Sequence, residues 1–137
     1  MRRHLQAKLE NPPSAHPRHT VKFSFACALS GLCSSVKRER SMKIHLAVAA
    51  LVIAGGAFFR ISAIEWLACL AFFALVLGAE LMNTALEAAV DLASPEKNDQ
   101  AKLAKDTAAA AVLVCAALAA VAGCVIFLPK LWALIFG

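Results

Sequence analysis

Three long apolar stretches dominate the chain after its first forty residues. They cover about residues 44–64, 66–90 and 107–128, and each reaches the roughly 20 residues that an α-helix needs to cross a bilayer core. The third stretch carries no charge, ends at Pro129 and is rich in alanine, which lets helices approach closely in lipid. The pattern predicts an all-α integral membrane protein with three transmembrane helices.

A different pattern precedes these stretches, over about residues 20–36. Apolar residues recur there at helical spacing on one face, at Phe25, Leu29, Leu32 and Val36. Lysine and serine occupy other positions, as in a helix that lies on a membrane surface. Residues 1–19 are polar, basic and proline-bearing, without the apolar core of a signal peptide. We therefore expect a flexible basic tail over 1–19 and a membrane domain over 20–137 that opens with an amphipathic surface helix.

Charge is distributed unevenly along this hydrophobic chain. The net charge is +5, 61% of residues are hydrophobic, and nine of the fourteen Lys and Arg precede residue 44. Few side chains could stack on bases, so no nucleic-acid partner is expected, and the basic block fits a cytoplasmic flank. The connection 60–65 would then face outward, and the loop 92–106, with three lysines, would return to the cytoplasm.

The second apolar stretch contains polar residues that share one face. At about 100° per residue they form a stripe about 100° wide, made of Glu80, Asn83, Thr84, Glu87 and Asp91. A charge inside a membrane helix costs about 2.5 kcal/mol or more, so these carboxylates need a metal, a cation or a proton. Glu87 and Asp91 also fit as interfacial charges in water. Glu80 lies deeper, where burial suits a general base or a proton relay, and the stripe alone does not choose between them.

Phosphate chemistry is compatible with the residues expected at the cytoplasmic face. The chain has neither GxxxxGK[ST] nor GxGxxG, so no glycine-rich loop of these kinds would hold a nucleotide. Glu39 and Glu87 are candidate carboxylate ligands for Mg²⁺ at that interface. Lys105 and Asp106 stand at the start of the third span, where a helix N-terminus attracts anions, although Lys105 also fits as an ordinary flanking cation.

Three segments resemble the prokaryotic diacylglycerol kinase family, a family of small integral-membrane lipid kinases. They are AELMNTALEAAVD (79–91), AKD (104–106) and KRERSMKIHL (37–46), and the similarity extends over roughly residues 20–130. The resemblance implies a homotrimer in the bacterial plasma membrane, with active sites shared between protomers. It also implies phosphorylation of a lipid hydroxyl that depends on ATP as co-substrate and on Mg²⁺.

Roles follow from the resemblance position by position. It implies that Glu80 is the catalytic base and that Glu39 and Glu87 bridge Mg²⁺ to the phosphates. Lys105 and Asp106 resemble the nucleotide-contacting pair. Two further positions, Asn83 and Asp91, resemble polar supports of the site. The loop near the nucleotide corresponds to Glu96, Lys97 and Asn98.

The segment DLASPE (91–96) is most similar to the undecaprenol kinase branch of that family. It favours undecaprenol as the acceptor, giving undecaprenyl phosphate, with diacylglycerol as the alternative. Two positions depart from the family pattern. An aromatic residue and a histidine commonly follow SPE, where this chain has Lys97 and Asn98, and Thr20 stands where the family has an N-terminal basic residue.

Two other classes of function compete with a lipid kinase. A small proton- or ion-translocating subunit would use Glu80 and Glu87 as relay groups. A structural membrane protein would use the stripe only to specify helix assembly. A relay calls for polar groups through the whole membrane depth, and the outer halves of the second and third spans offer none.

Overall fold

The computed structural model describes residues 21–96 and 98–137, and these form four α-helices. In chain order they are α1 (Val21–Arg38), α2 (Arg40–Phe58), α3 (Ala63–Ala93) and α4 (Asp99–Phe136). The last three are each long and apolar enough to cross a membrane, which confirms the prediction of three spanning helices. The predicted basic tail, together with Thr20 and Lys97, lies outside the described residues.

The chain divides into two units between Cys33 and Ser34. The described part of the first unit is the beginning of α1, where Phe25 and Leu29 are exposed. The expected helix is therefore present, and its position on a membrane surface stays a prediction. The second unit contains the end of α1 and the helices α2, α3 and α4.

A tight turn joins α2 to α3. The N–H of Ile61 donates to the carbonyl of Gly56 and the N–H of Arg60 to that of Ala57, which is the Schellman pattern of helix termination. Arg60 has a φ of 50°, a conformation that non-glycine residues adopt rarely. A Cβ on Gly56 would lie 2.7 Å from the Trp66 ring, so only glycine lets the two helices approach this closely. α2 therefore ends at Phe58, six residues before the predicted end of the first span.

α3 begins at Ala63, three residues before the predicted start of the second span. Ser62 is its N-cap: the Glu65 N–H donates to the Ser62 hydroxyl, and the Ser62 N–H donates to Glu65 Oε2 at 2.7 Å. This reciprocal capping box is typical of the sequence pattern S-x-x-E. The pattern SAIE is visible in the sequence and marks the boundary better than hydrophobicity does.

α4 extends well beyond the predicted third span at both ends. It begins at Asp99 and continues through Pro129 to Phe136, although Pro129 cannot donate to the carbonyl of Val125. Membrane helices tolerate such a proline because nearby groups can satisfy the freed carbonyl. Just after it, Lys130 pairs with Glu65 at 2.8 Å, which joins the end of α4 to the beginning of α3.

Few side chains of the three long helices are buried within a single chain. Among the described residues the buried apolar set is small, consisting of Met42, Ala49, Ile61, Cys69, Val76 and Val112. Leucines and valines on the other faces are exposed, as expected for helices surrounded by lipid or by further copies of the chain. A multi-pass membrane protein accounts for this outward-facing apolar surface.

Candidate active site

Two contacts bring the predicted polar residues to one end of the helices. The Ser41 hydroxyl, in the first turn of α2, donates to Glu80 Oε1 in α3. Lys105, near the start of α4, forms an ion pair with Asp91 in the last turn of α3. The beginnings of α2 and α4 therefore lie beside the C-terminal half of α3. The Glu65–Lys130 pair lies at the opposite end.

Glu80 is the most deeply buried charged residue that the structure describes, with 2% of its surface exposed. One carboxylate oxygen accepts the hydrogen bond from Ser41. The Thr84 hydroxyl donates to the Glu80 backbone carbonyl at 3.0 Å and lies 3.4 Å from the hydroxyl of Ser35, which is also buried. Burial of a carboxylate is costly without hydrogen bonds, so the Ser41 hydroxyl helps to stabilise the Glu80 carboxylate in an apolar helix.

Asn83 and Glu87 form a second polar pair, one turn further along α3. Asn83 Nδ2 donates to Glu87 Oε1 at 3.0 Å, and both residues are half-buried. Asn83 Oδ1 is a buried acceptor that has no hydrogen-bond partner in the described part of the chain. Buried polar groups are seldom left without a hydrogen-bond partner, so a donor from another molecule is expected at this oxygen. An alcohol or a bound water would supply one.

An open cavity of about 620 Å³ lies where α3 meets α4. The predicted site residues that line it are Asp91, Glu96, Asn98, Lys105 and Asp106. Lys105 pairs with Asp91, whereas Asp106 accepts from Lys102 at 2.7 Å, so the two adjacent predicted residues have different partners. Two lysines and four carboxylates line the cavity, so a phosphate bound there would need a cation in addition to the lysines.

The loop between α3 and α4 is organised by Asn98. Its Oδ1 accepts from the N–H of Ala101 at 2.8 Å and thereby caps α4, while its Nδ2 donates to the Ser94 hydroxyl at 2.7 Å. Ser94 in turn donates to the backbone carbonyl of Glu96 at 3.1 Å. Asn98 therefore closes the loop as well as lining the cavity. Lys97, predicted beside it, is outside the described residues.

The two predicted metal ligands are present but do not form a ready-made cluster. Glu39 is the half-buried N-cap of α2, and its side chain makes no capping hydrogen bond. Within residues 21–96 and 98–137, no three side chains of His, Cys, Asp or Glu converge on a metal-sized position. Two carboxylates nevertheless fit Mg²⁺ chemically, because this ion commonly takes one or two protein carboxylates together with waters and substrate phosphates.

Sequence reasoning missed three side chains of this region. Ser41 donates to Glu80, and Lys102 donates to Asp106. The Ser94 hydroxyl accepts from Asn98. The spacing of Lys102 and Asp106 at i and i+4 was a usable signal for a pair on one helix. Ser41 had no comparable signal, because its partner lies 39 residues away on another helix.

Comparisons with known proteins identify the family of this chain. The profile of the prokaryotic diacylglycerol kinase family matches residues 26–127. The undecaprenol kinase of Bacillus subtilis (strain 168) is 39% identical over 108 residues, which cover 79% of this chain and 88% of that protein. The diacylglycerol kinase of Synechocystis sp. is 35% identical over 119 residues, or 86% of this chain and 67% of that protein. The chain therefore belongs to the prokaryotic diacylglycerol kinase family and is a membrane lipid kinase.

Proposed function

We propose that the protein transfers the γ-phosphoryl group of ATP to the hydroxyl of undecaprenol. The observation that carries the proposal is the buried Glu80 carboxylate, which Ser41 holds in α3, the helix whose C-terminal end lines a cavity together with Lys102 and Lys105. A membrane alcohol can reach a carboxylate inside a spanning helix, whereas a phosphate donor needs the polar cavity. The likeness to an undecaprenol kinase over 88% of that protein's length supports the choice of acceptor.

Glu80 is the group that we assign as general base. Its carboxylate takes the hydroxyl proton of the acceptor while the acceptor oxygen forms a bond to the γ-phosphorus. The bond between the γ-phosphorus and the β,γ-bridging oxygen breaks, and ADP leaves. Asn83 is assigned as a polar support of the site. Its unpaired oxygen lies one turn along the same stripe and can accept a hydrogen bond from a bound water, since the single hydroxyl hydrogen of the acceptor goes to Glu80.

Lys105 and Asp106 are the pair that we assign to the nucleotide. Lys105 is held at the cavity by Asp91, and Lys102 holds Asp106. Phosphoryl transfer depends mainly on positioning and on neutralising charge, which lysines fixed in this way can provide. Glu96 and Asn98 shape the loop at the cavity, and Lys97 is assigned to the same segment from its place in the sequence.

Glu39 and Glu87 are the residues that would hold Mg²⁺. When bound, the ion neutralises phosphate charge, which is its usual contribution to phosphoryl transfer. Both side chains are half-buried and carry the hard oxygen ligands that Mg²⁺ requires. Asn83, by donating to Glu87 Oε1, fixes one carboxylate and leaves its other oxygen for the ion.

The membrane placement that goes with this function is a plasma membrane with the N-terminus in the cytoplasm. The excess of Lys and Arg before residue 44 and the three lysines of residues 92–106 favour that orientation. α1 would lie along the cytoplasmic surface, with the exposed side chains of Phe25 and Leu29 in the lipid. The candidate site then faces the ATP pool.

The active assembly that we propose is a homotrimer whose active sites are shared between protomers. The apolar, alanine-rich face of α4 is left uncovered within one chain and suits close helix contacts. We expect native mass measurements in mild detergent to give the mass of three chains, and cross-linking to stop at the trimer. A species of one or two chains that retains full activity would contradict the shared site.

The proposed reaction is tested with the purified protein in lipid nanodiscs, supplied with γ-labelled ATP, Mg²⁺ and either undecaprenol or diacylglycerol. We expect label in the lipid fraction, with kcat/KM at least about tenfold higher for undecaprenol. That ratio corresponds to about 1.4 kcal/mol of selectivity. Glu80→Gln protein, purified in the same way, sets an upper limit on labelling by a contaminating kinase.

The outcomes separate two parts of the proposal. Transfer to diacylglycerol at the higher kcat/KM would replace the acceptor and leave the lipid kinase in place. No transfer to either alcohol would contradict both choices of acceptor. Omission of Mg²⁺, with a chelator present, should reduce labelling to the level of the Glu80→Gln protein.

A further inference from the structure

We propose that Ser41 is a positioning residue that fixes the Glu80 carboxylate and selects the oxygen that takes the substrate proton. The proposal rests on the function proposed above, with Glu80 as the base. Its structural basis is the hydrogen bond from the Ser41 hydroxyl to Glu80 Oε1 across the α2–α3 interface. Among the described residues, this is the hydrogen bond made to the Glu80 side chain.

A glutamate carboxylate has little intrinsic preference about its last torsion. The χ3 angle is broad and roughly two-fold, so two equivalent oxygens would otherwise exchange places. A donor on one oxygen removes this freedom. With Ser41 on Oε1, the lone pairs of Oε2 remain for the proton of an acceptor alcohol. Alignment of this kind contributes strongly to rate, because small displacements of a reacting group are costly.

The packing of α2 against α3 places the Ser41 hydroxyl beside Glu80. Ser41 lies in the first turn of α2, next to Met42, which is fully buried. On the other side of the contact, Thr84 fixes the Glu80 backbone by donating to its carbonyl at 3.0 Å. Because the single hydroxyl hydrogen of Thr84 is used there, Ser35 must be the donor in its 3.4 Å contact with Thr84.

The two hydroxyl contacts to Glu80 therefore differ in kind. Thr84 bonds to the backbone of its own helix, a common local arrangement for serine and threonine. Ser41 reaches the carboxylate from a different helix and bonds to the chemically reactive group. Removing the Ser41 hydroxyl should therefore affect the reaction step more than the fold.

The test compares Ser41→Ala with Ser41→Thr in full-length protein in nanodiscs. We expect Ser41→Ala to lower kcat about tenfold, with KM for ATP and for the lipid alcohol within about twofold of the parent. Ser41→Thr keeps a hydroxyl and should restore kcat to within about threefold. The matched control is Ser34→Ala, which removes a hydroxyl at an exposed position and should leave kcat unchanged.

A double variant distinguishes positioning from a general structural effect. If Ser41 acts through Glu80, Ser41→Ala should cause no further loss of kcat in a Glu80→Gln background. A further tenfold loss there, or a fall in Tm with no rescue by threonine, would overturn the proposal. A parent-like kcat in Ser41→Ala, with kcat strongly lowered in Glu80→Gln, would overturn the role of Ser41 and leave Glu80 as the base. A parent-like kcat in Glu80→Gln would show that Glu80 is not the base. The proposal for Ser41 depends on that assignment and would then be wrong as well.

Discussion

Replacing Glu80 by glutamine is expected to lower kcat by about 10²- to 10⁴-fold, the usual contribution of a general base. An amide cannot take the hydroxyl proton. It can still accept the hydrogen bond from Ser41 through its oxygen, so the α2–α3 contact should survive. ATP binding and oligomeric mass should match the parent protein. The measurement is single-turnover transfer of labelled phosphate, together with nucleotide binding by calorimetry.

A carboxylate on the same helix supplies the control for this variant. Glu65→Gln makes the same chemical change at the opposite end of α3, where Glu65 pairs with Lys130 and caps the helix. Glutamine retains the capping geometry but loses the ion pair, so a small fall in Tm with parent-like kcat is expected. Equal rates for Glu80→Gln and Glu65→Gln would contradict the assignment of the base.

Replacing Glu39 or Glu87 by glutamine is expected to raise the free Mg²⁺ needed for half-maximal rate by about tenfold or more. Each substitution removes one anionic oxygen ligand from an ion that binds through few protein groups. The double variant should lose nearly all activity at millimolar Mg²⁺. Rates are measured while free Mg²⁺ is varied at constant nucleotide concentration.

Binding of Mn²⁺, followed by electron paramagnetic resonance with a non-hydrolysable nucleotide, gives a readout that is independent of turnover. The affinity should fall in Glu39→Gln and Glu87→Gln and stay at the parent value in Glu65→Gln. Unchanged Mn²⁺ affinity in both site variants would show that these carboxylates do not hold the metal.

The sequence was sufficient for the helices and for the polar face of α3. Length and apolar composition identify a spanning helix directly, and the stripe follows from helical periodicity. Hydrophobicity marks helix ends poorly, because a helix continues wherever capping and packing allow. α4 thus begins at Asp99, directly after its cap Asn98, and passes through Pro129, and all three residues lie outside the apolar stretch that predicted it.

Contacts between helices could not be predicted from the sequence, and the site depends on these contacts. The hydrogen bond between Ser41 and Glu80 requires the register of α2 against α3, which the turn at Gly56 and Arg60 helps to set. Asn98 is assigned to the loop near the nucleotide by the family resemblance, and the structure adds that its amide caps α4 and holds Ser94. Composition and spacing do not distinguish a side chain that holds a loop from one that meets a ligand.

The spacing of charged residues along α3 also relates the site to the thickness of the bilayer. With Glu65 and Lys130 at one edge of a hydrocarbon core about 30 Å thick, Glu80 lies about 22 Å along the helix and Glu87 about 33 Å. Glu80 is then about one and a half turns inside the opposite edge, at a depth that a lipid hydroxyl can reach, while Glu87 is just outside it in water. A thinner bilayer would bring Glu80 toward the headgroups, so membrane thickness becomes a determinant of how readily alcohol and nucleotide meet.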